Sequence, residues 1–353
     1  MMMLPPAFAQ RVQQQLGPEW PAFQAALTQP APVSLRWQAA KVAAPDLPSI
    51  PWAGQGAYLP ERPAFAADPW WHGGAYYVQE ASSMLMELAL RQHADLSQPL
   101  RVLDLCGAPG GKATHLASLL MGDSLLVANE VIRSRAGILA ENLARWGAPQ
   151  AIVTQNDPRD MAALPGFFDV MVVDAPCSGE GLFRRDPEAI GEWSEGNLQL
   201  CAERQRRILM DAWPALRPGG LLLYSTCTFF PGENQENLAW LAQETRAESL
   251  PLDLDPAWGW TRQTSGQLFG YQAWPHRVQG EGFFLAVLRK AGESPAAAVS
   301  RRKRPLLVPA TRAQREVLQA WLIDPAPWVV INERDRLRLL PASQLAAAEQ
   351  VVA

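Results

Sequence analysis

Between Leu100 and Leu288 the chain alternates short aliphatic runs with helix-length amphipathic segments, and few folds accommodate that pattern. Residues 101–105 read as a strand leading into a helix through His115 and Leu119, and 125–128 read as a second strand followed by a helix over 134–146. Strands are predicted again at 151–153 and 170–173. A helix near 198–215 then runs through Arg217-Pro218-Gly219-Gly220 into a strand at 221–224. The apolar run 282–288 is rich enough to be buried. Nearly continuous apolar strands, each followed by a helix, predict an α/β fold: an open, mainly parallel sheet with helices on both faces.

On the N-terminal side, Phe8, Val12, Leu16, Phe23 and Leu27 are spaced for one or two short helices ending at Pro30, and 33–37 reads as a strand. Residues 43–74, rich in Pro, Gly, Trp and Ala, predict irregular structure with short strands, and a helix is expected over 80–92. After Lys290 the sequence AGESPAAAVSRRKRP has linker composition. The expected division is therefore a small N-terminal α+β region (1–75), a main α/β domain (76–290), a linker (291–304) and a short C-terminal appendage (305–353). The appendage should carry a helix near 314–323 and a strand at 328–331.

Composition narrows the function classes. A hydrophobic fraction of 48% with 19% charged residues is that of a globular chain, and the longest apolar stretches are strand-sized, which argues against a membrane span. The start MMMLPPAFAQR has no basic region followed by a signal-length apolar run, so a cytoplasmic location is expected. Four widely spaced cysteines with no CxxC pair, and only four histidines, make a metal site improbable. The net charge of −4 is a poor match to indiscriminate nucleic-acid binding. Any such contact must come from local clusters: Arg184-Arg185, Arg204-Gln205-Arg206-Arg207 or Arg301-Arg302-Lys303-Arg304.

The loop Asp104-Leu105-Cys106-Gly107-Ala108-Pro109-Gly110-Gly111-Lys112 follows the first strand of the alternating region and opens a helix. Its glycines let the main chain turn tightly against a ligand, and the helix start offers unsatisfied N–H groups. It matches neither GxxxxGK[ST], because Gly107 stands five positions before Lys112 and Ala113 follows, nor GxGxxG. Glu130, after the next strand, is placed to bind paired ribose hydroxyls, while Asp157 and Asp174 follow the third and fourth strands onto the same sheet edge. A nucleoside without pyrophosphate fits this set, and S-adenosylmethionine is the simplest candidate.

Two cysteines reach that edge from different strands, in Asp174-Ala175-Pro176-Cys177-Ser178-Gly179 and Tyr224-Ser225-Thr226-Cys227-Thr228. A lone cysteine is more often a small buried hydrophobe. A matched pair beside an acid points to chemistry instead. Carbon 5 of cytosine is a weak nucleophile, but a thiolate added at carbon 6 makes the ring an enamine whose carbon 5 can attack a methyl donor. A carboxyl at Asp174, protonated in an apolar site or sharing a proton with ring N3, would stabilise the adduct.

These segments resemble the NOL1/NOP2/Sun family of RNA cytosine-5 methyltransferases, and within it most closely the bacterial branch that acts on 16S ribosomal RNA. The resemblance covers approximately residues 4–290. It is carried by LDLCGAPGGK at 103–112, DAPCSGEGLFRRD at 174–186 and YSTCTFFPGENQEN at 224–237, with Ala128-Asn129-Glu130 and Asn156-Asp157 between them. It implies a Rossmann-like S-adenosylmethionine-dependent methyltransferase fold preceded by an RNA-binding region. It also implies Cys227 as nucleophile, Cys177 in resolving the adduct, and Asp174 contacting both the target base and the methyl-donor region. The cofactor would be held by the loop from Cys106 to Lys112, Glu130 and Asp157. His276, in Trp274-Pro275-His276-Arg277, is expected to hold structure or position substrate. That branch generally continues into further C-terminal RNA-binding modules, so recognition here is expected to be reduced, redistributed or completed by another surface.

The implied partner is 16S ribosomal RNA or the assembling small subunit, with no membrane and no obligate protein partner indicated. Transfer RNA or another RNA remains an alternative substrate. Pro176-Cys177 also fits the nucleophile of a DNA cytosine-5 methyltransferase, and a ribosome-assembly protein that binds RNA without catalysis is the non-enzymatic alternative.

Overall fold

The computed structural model describes residues 4–186, 188–299, 305–333 and 336–353. Arg301-Arg302-Lys303-Arg304 thus lies outside the described residues. The chain begins with helices α1 (Pro6–Leu16) and α2 (Trp20–Leu27). A three-stranded antiparallel sheet follows, built from β1 (Val33–Trp37), β2 (Gly56–Leu59) and β3 (Tyr76–Val78) in the order β2-β1-β3. The short helix α3 (Pro69–His72) precedes β3. Because β3 pairs with β1 (Leu35 opposite Val78), this sheet extends past residue 75 into the segment that leads to α4 (Leu85–His93).

The main sheet is built from β4 (Arg101–Asp104), β5 (Leu125–Asn129), β6 (Ala151–Thr154), β7 (Phe168–Asp174) and β8 (Leu216–Thr226), all parallel, in the spatial order β6-β5-β4-β7-β8. The chain enters at the middle, builds outward to β6 and returns to the other side of β4, so the strand order reverses between β4 and β7. Beyond β8 the sheet turns antiparallel: β12 (Phe283–Arg289) pairs with β8, β9 (Glu248–Leu250) and β11 (Leu268–Ala273) pair with β12, and β10 (Thr261–Ser265) closes a hairpin with β11. Since Phe284 lies opposite Thr226, β12 starts at the same sheet edge at which β8 ends.

Helices α5 (Gly111–Leu119), α6 (Arg133–Trp146), α7 (Glu188–Glu192), α8 (Glu195–Ala212) and α9 (Gln235–Thr245) connect these strands. Successive strand side chains alternate faces. Val102, Leu126, Val170, Val172, Leu221 and Leu223 pack with Leu85 of α4, Leu116 of α5 and Leu139 of α6. Leu103, Val127, Met171, Val173 and Leu222 pack with Ile208 and Leu209 of α8 and Leu238 of α9. Both faces are therefore covered, as the apolar runs require.

The N-terminal elements are fixed to this core at two places. Phe8, Val12, Phe23 and Leu27 share a cluster with Phe183, Phe229 and Trp274, so α1 and α2 rest on the loops that follow β7 and β8. Arg36 of β1 is wholly buried. Its guanidinium donates to Gln79 Oε1 (3.1 Å), Ser118 Oγ (3.2 Å) and Thr114 Oγ1 (2.6 Å), and lies 4.3 Å from the Trp146 ring centroid. Burial lowers its pKa to about 9, which still leaves it charged near neutrality.

The appendage contains α10 (Arg312–Gln319), a hairpin of β13 (Trp328–Glu333) and β14 (Arg336–Pro341), and α11 (Leu345–Val351). It packs against the main domain: Ile331, Leu340, Ala347 and Ala348 join the cluster on the second sheet face, and Arg338 donates to the Ala151 carbonyl at 2.8 Å. Among the described residues no helix is long and apolar enough to cross a membrane.

Among the described residues Arg36 is the only cation tying β1 to α5, so Arg36→Met should strand the Gln79 and Thr114 polar groups and cost about 2–4 kcal/mol of stability. Urea denaturation checks this, and a loss below about 1 kcal/mol would contradict the clamp.

Candidate active site

The strand reversal places the ends of β4, β5, β7 and β8 around one crevice. In open α/β sheets ligands bind at such a switch point. Asp104 ends β4, Glu130 follows β5, Asp174 ends β7 and Cys227 follows β8.

The loop after β4 turns through Gly110 at φ 119°, a conformation that side-chain-bearing residues rarely adopt. A Cβ on Gly107 would meet Asp104 Oδ2 and Leu139 at 3.2 Å, so the backbone there lies against the carboxyl. Asp104 is fully buried, and among the described residues neither carboxyl oxygen has a hydrogen-bond partner. Burial raises its pKa to about 7, Lys112 opposes that shift, and Asp174 and Glu130 add to it. A buried carboxyl without hydrogen-bond donors on a glycine turn suits a cationic or hydrogen-bond-donating ligand. It stands two residues before the loop expected to hold cofactor, from Cys106 to Lys112, and was not itself expected there, because an acid at a strand end reads in sequence as a turn former.

The other expected cofactor residues differ in how much of their bonding capacity is taken. Glu130 Oε1 accepts from the Ile132 N–H at 3.0 Å, while Arg135 stands 3.4 Å from Oε2, long for a hydrogen bond, so that oxygen can take a ribose hydroxyl. Asp157 is more committed: it caps a 3-10 turn by accepting from the Arg159 N–H at 3.2 Å and lies 3.4 Å from Arg207. Burial, then neighbouring acids, push the Cys106 thiol up, which suits a lining group rather than a nucleophile.

Lys112 reaches from the first turn of α5 to Asp174 Oδ2 at 2.8 Å, and Asp174 Oδ1 accepts from Ser225 Oγ at 2.8 Å. Instead of an apolar pocket, Asp174 thus occupies an ion pair. Burial would lower the Lys112 pKa, but Asp174, Asp104 and Cys227 together outweigh it and raise it, so the ammonium stays charged.

Cys177 and Cys227 meet across the loops, with their Sγ atoms 3.2 Å apart and both thiols free. The Cys227 N–H also donates to Cys177 Sγ at 3.3 Å. Contact with Cys227 first, and burial second, hold the Cys177 thiol well above its ordinary pKa. Two sulfurs this close do not readily both ionise, which is why the Cys177 thiol holds its proton.

Buried acids brace these loops. Glu233 Oε2 accepts from the Ser178 N–H (3.0 Å) and Gln205 Nε2 (2.7 Å), and burial raises its pKa to about 7. Glu180 accepts from Thr228 Oγ1 (3.1 Å), the Phe229 N–H (3.2 Å) and Trp193 Nε1 (2.8 Å), and pairs with Arg11 of α1. Both lie within the quoted cysteine motifs, but their bracing role needs the fold to be seen. His276 is spent on Glu19 (2.9 Å) and packs against Phe23, outside the crevice, in keeping with a structural role. Of the arginine clusters, Arg206 and Arg207 are engaged with Asn237, Asp157 and Asp211. Arg184 donates to the carbonyls of Gln29 and Pro30.

A covered parallel sheet with a glycine loop after its first strand and acids on its carboxyl edge is an α/β fold of the methyltransferase type. The solved structure of a methyltransferase homolog from Pyrococcus horikoshii shares it, with a TM-score of 0.68, 28% identity, and 80% of this chain and 94% of that one covered. NSun6 from Pyrococcus horikoshii shows the same fold at 19% identity, with a TM-score of 0.69 over 82% of this chain and 99% of that one. The family described as 16S rRNA methyltransferase RsmB/F matches residues 90–289, and the N-terminal domain of 16S rRNA methyltransferase RsmF matches residues 4–81. The ribosomal RNA small subunit methyltransferase F of Pectobacterium atrosepticum is 37% identical over 309 residues, 80% of this chain and 63% of that protein. That of Salmonella arizonae is 40% identical over 295 residues, 78% of this chain and 60% of that protein. The chain belongs to the RsmB/F methyltransferase family, and within it to the RsmF type. It spans less than two thirds of the length of these curated relatives.

Because Asp104 carries its charge only above about pH 7, affinity for S-adenosylmethionine should weaken as pH falls through 7, by up to about tenfold per unit. Asp104→Asn should flatten that dependence in calorimetric titration. An unchanged pH profile in the variant would remove Asp104 from the ligand site.

Proposed function

We propose that this chain methylates carbon 5 of cytosine in 16S ribosomal RNA, free or in the assembling small subunit, through a transient bond between Cys227 Sγ and carbon 6. The observation that carries this reading is the 3.2 Å approach of the two sulfurs beside the Lys112–Asp174 pair. On this reading the strand order is that of a Rossmann-like methyltransferase. Residues 1–75, with β3 completing their sheet, serve substrate binding, the rest of 76–290 catalysis, 291–304 a linker, and 305–353 an appendage.

Asp104, the loop from Cys106 to Lys112, Glu130, Asp157 and Asp174 would hold S-adenosylmethionine. The orphaned Asp104 carboxyl and the tight glycine turn fit a cationic nucleoside. When bound, the cofactor supplies an electrophilic methyl group. The protein's own part begins with Cys227, whose thiolate adds to carbon 6 and pushes the ring π pair towards N3 and carbon 5. The Lys112–Asp174 pair stands where it can place a proton at N3 and spread the developing charge. After carbon 5 is alkylated its proton must leave, and the electron pair it releases re-forms the ring double bond as the carbon–sulfur bond breaks. Cys177, whose Sγ lies 3.2 Å from that of Cys227, takes part in that transfer and in release: its thiolate accepts the carbon 5 proton and passes it to water. The target base must be unstacked to reach Cys227, which favours a loop or a flipped nucleotide.

Cys227→Ser should lower methylation of under-methylated 16S RNA by about a thousandfold or more and abolish the covalent intermediate. Cys177→Ser should instead accumulate RNA-linked protein, seen as a slow band on a denaturing gel. Adduct formation by Cys177 alone would favour the DNA-enzyme type of mechanism, and binding without methyl transfer would favour a non-catalytic assembly protein.

A further inference from the structure

Beside the cysteine crevice lies a second cavity, of about 440 Å³, between the N-terminal sheet and the turn that leads into β12. Its walls include Arg62, Phe65, Trp71, Tyr77, Arg185 and Glu281. Arg62 and Arg185 are exposed, and neither side chain has a hydrogen bond or ion pair among the described residues. Arg62 lies 5.3 Å from the Phe65 ring centroid, and Phe65 and Trp71 are themselves 5.3 Å apart. Free cations interleaved with aromatic rings are the surface that unpaired nucleic acid takes, with phosphate on the cations and bases on the rings.

Glu281 supplies a polar reader. It is 4% exposed, its Oε2 atom is buried with no partner, and its carboxyl receives no hydrogen bond among the described residues. Burial beside Glu80 raises its pKa to about 7, with Arg185 and Arg184 opposing, so an N–H donor presented to it would hold it ionised. The cavity wall adjoins the loops of the reaction centre. A Cβ on Gly111 would meet Tyr77 at 3.5 Å, and Gly282 abuts Gly181, whose N–H donates to the Cys227 carbonyl at 2.8 Å.

We propose that this cavity holds an unpaired nucleotide flanking the target cytosine, its phosphate drawn by Arg62 and Arg185 and its base read by Glu281 through an amino group. A carboxylate accepts from the exocyclic amine of adenine, cytosine or guanine, whereas uracil has no amine and offers only its ring N3–H, flanked by two carbonyl oxygens that the carboxylate repels. The proposal rests on RNA being the substrate and adds a specificity-determining residue to that reading.

The test uses the full chain and short single-stranded RNAs with one cytosine and a varied neighbouring base. Affinity is measured by fluorescence anisotropy and methyl transfer separately. Wild-type protein should disfavour a flanking uracil about tenfold, expressed in KM and affinity rather than kcat. Glu281→Gln, whose amide both donates and accepts, should bring uracil within about twofold of the other bases. Arg62→Ala and Arg185→Ala, both at exposed positions, should weaken all sequences alike and lower the salt dependence by about one ion each. An unchanged base ranking in Glu281→Gln, or unchanged affinity and salt slope in both arginine variants, would overturn the proposal. If base preference shifts in binding while no variant or wild type transfers methyl, the cavity assignment stands and the catalytic reading fails.

Discussion

The pairing of β7 against the free side of β4 governs everything else in this molecule. Because the chain starts at the centre of the sheet and reverses there, loops far apart in sequence emerge side by side: 105–110 after β4, 175–179 after β7 and 227–234 after β8. A parallel ladder leaves no freedom in which end of each strand faces the crevice. Antiparallel β12 then brings Glu281 to the same edge by starting where β8 stops. The sulfur–sulfur contact, the Lys112–Asp174 pair and the second cavity are consequences of that one arrangement.

The N-terminal elements act as a brace for it. α1 and α2 pack Phe8 and Phe23 against Phe183 and Phe229, residues of the loops that carry the two cysteines. Arg36 ties the small sheet to α5, whose first turn carries Lys112. An interior this rich in ionisable groups requires charge compensation. The buried carboxyls Asp104, Glu233 and Glu281 all move to a pKa of about 7, with burial the largest cause in each case. Each lies against a ligand crevice, an active-site loop or the groove beside them, and such shifts tend to cluster at functional sites.

The main sheet was legible because its signal is local: apolar runs, helix periodicity and a glycine loop in a fixed order. Cys177, Cys227 and Asp174 were legible for the same reason, since a residue that ends a parallel strand reaches the crevice whatever the details of packing. The hairpin of β10 and β11 was not anticipated, although Gly266 at φ 63° marks its turn, because its strands are short and only moderately apolar. Helix α9 was hidden inside a motif read for its cysteine. Asp157 illustrates the opposite limit: the spacing Asp157-Pro158-Arg159-Asp160 already signals a capping box, and that local bond takes up much of the carboxylate. Asp104 and Glu281 owe their interest to missing partners, and a missing partner exists only once the chain is folded.

The central claim is that Cys227 bonds to carbon 6 of a cytosine, and a fluorine at carbon 5 tests it most directly. Fluorine cannot leave as a proton does, so RNA carrying 5-fluorocytosine at the target should arrest the reaction after methyl transfer, with protein and RNA joined. Peptide mass mapping of that product should find the nucleotide on Cys227. A nucleotide on Cys177, or methyl transfer with no linked species at all, would contradict the account.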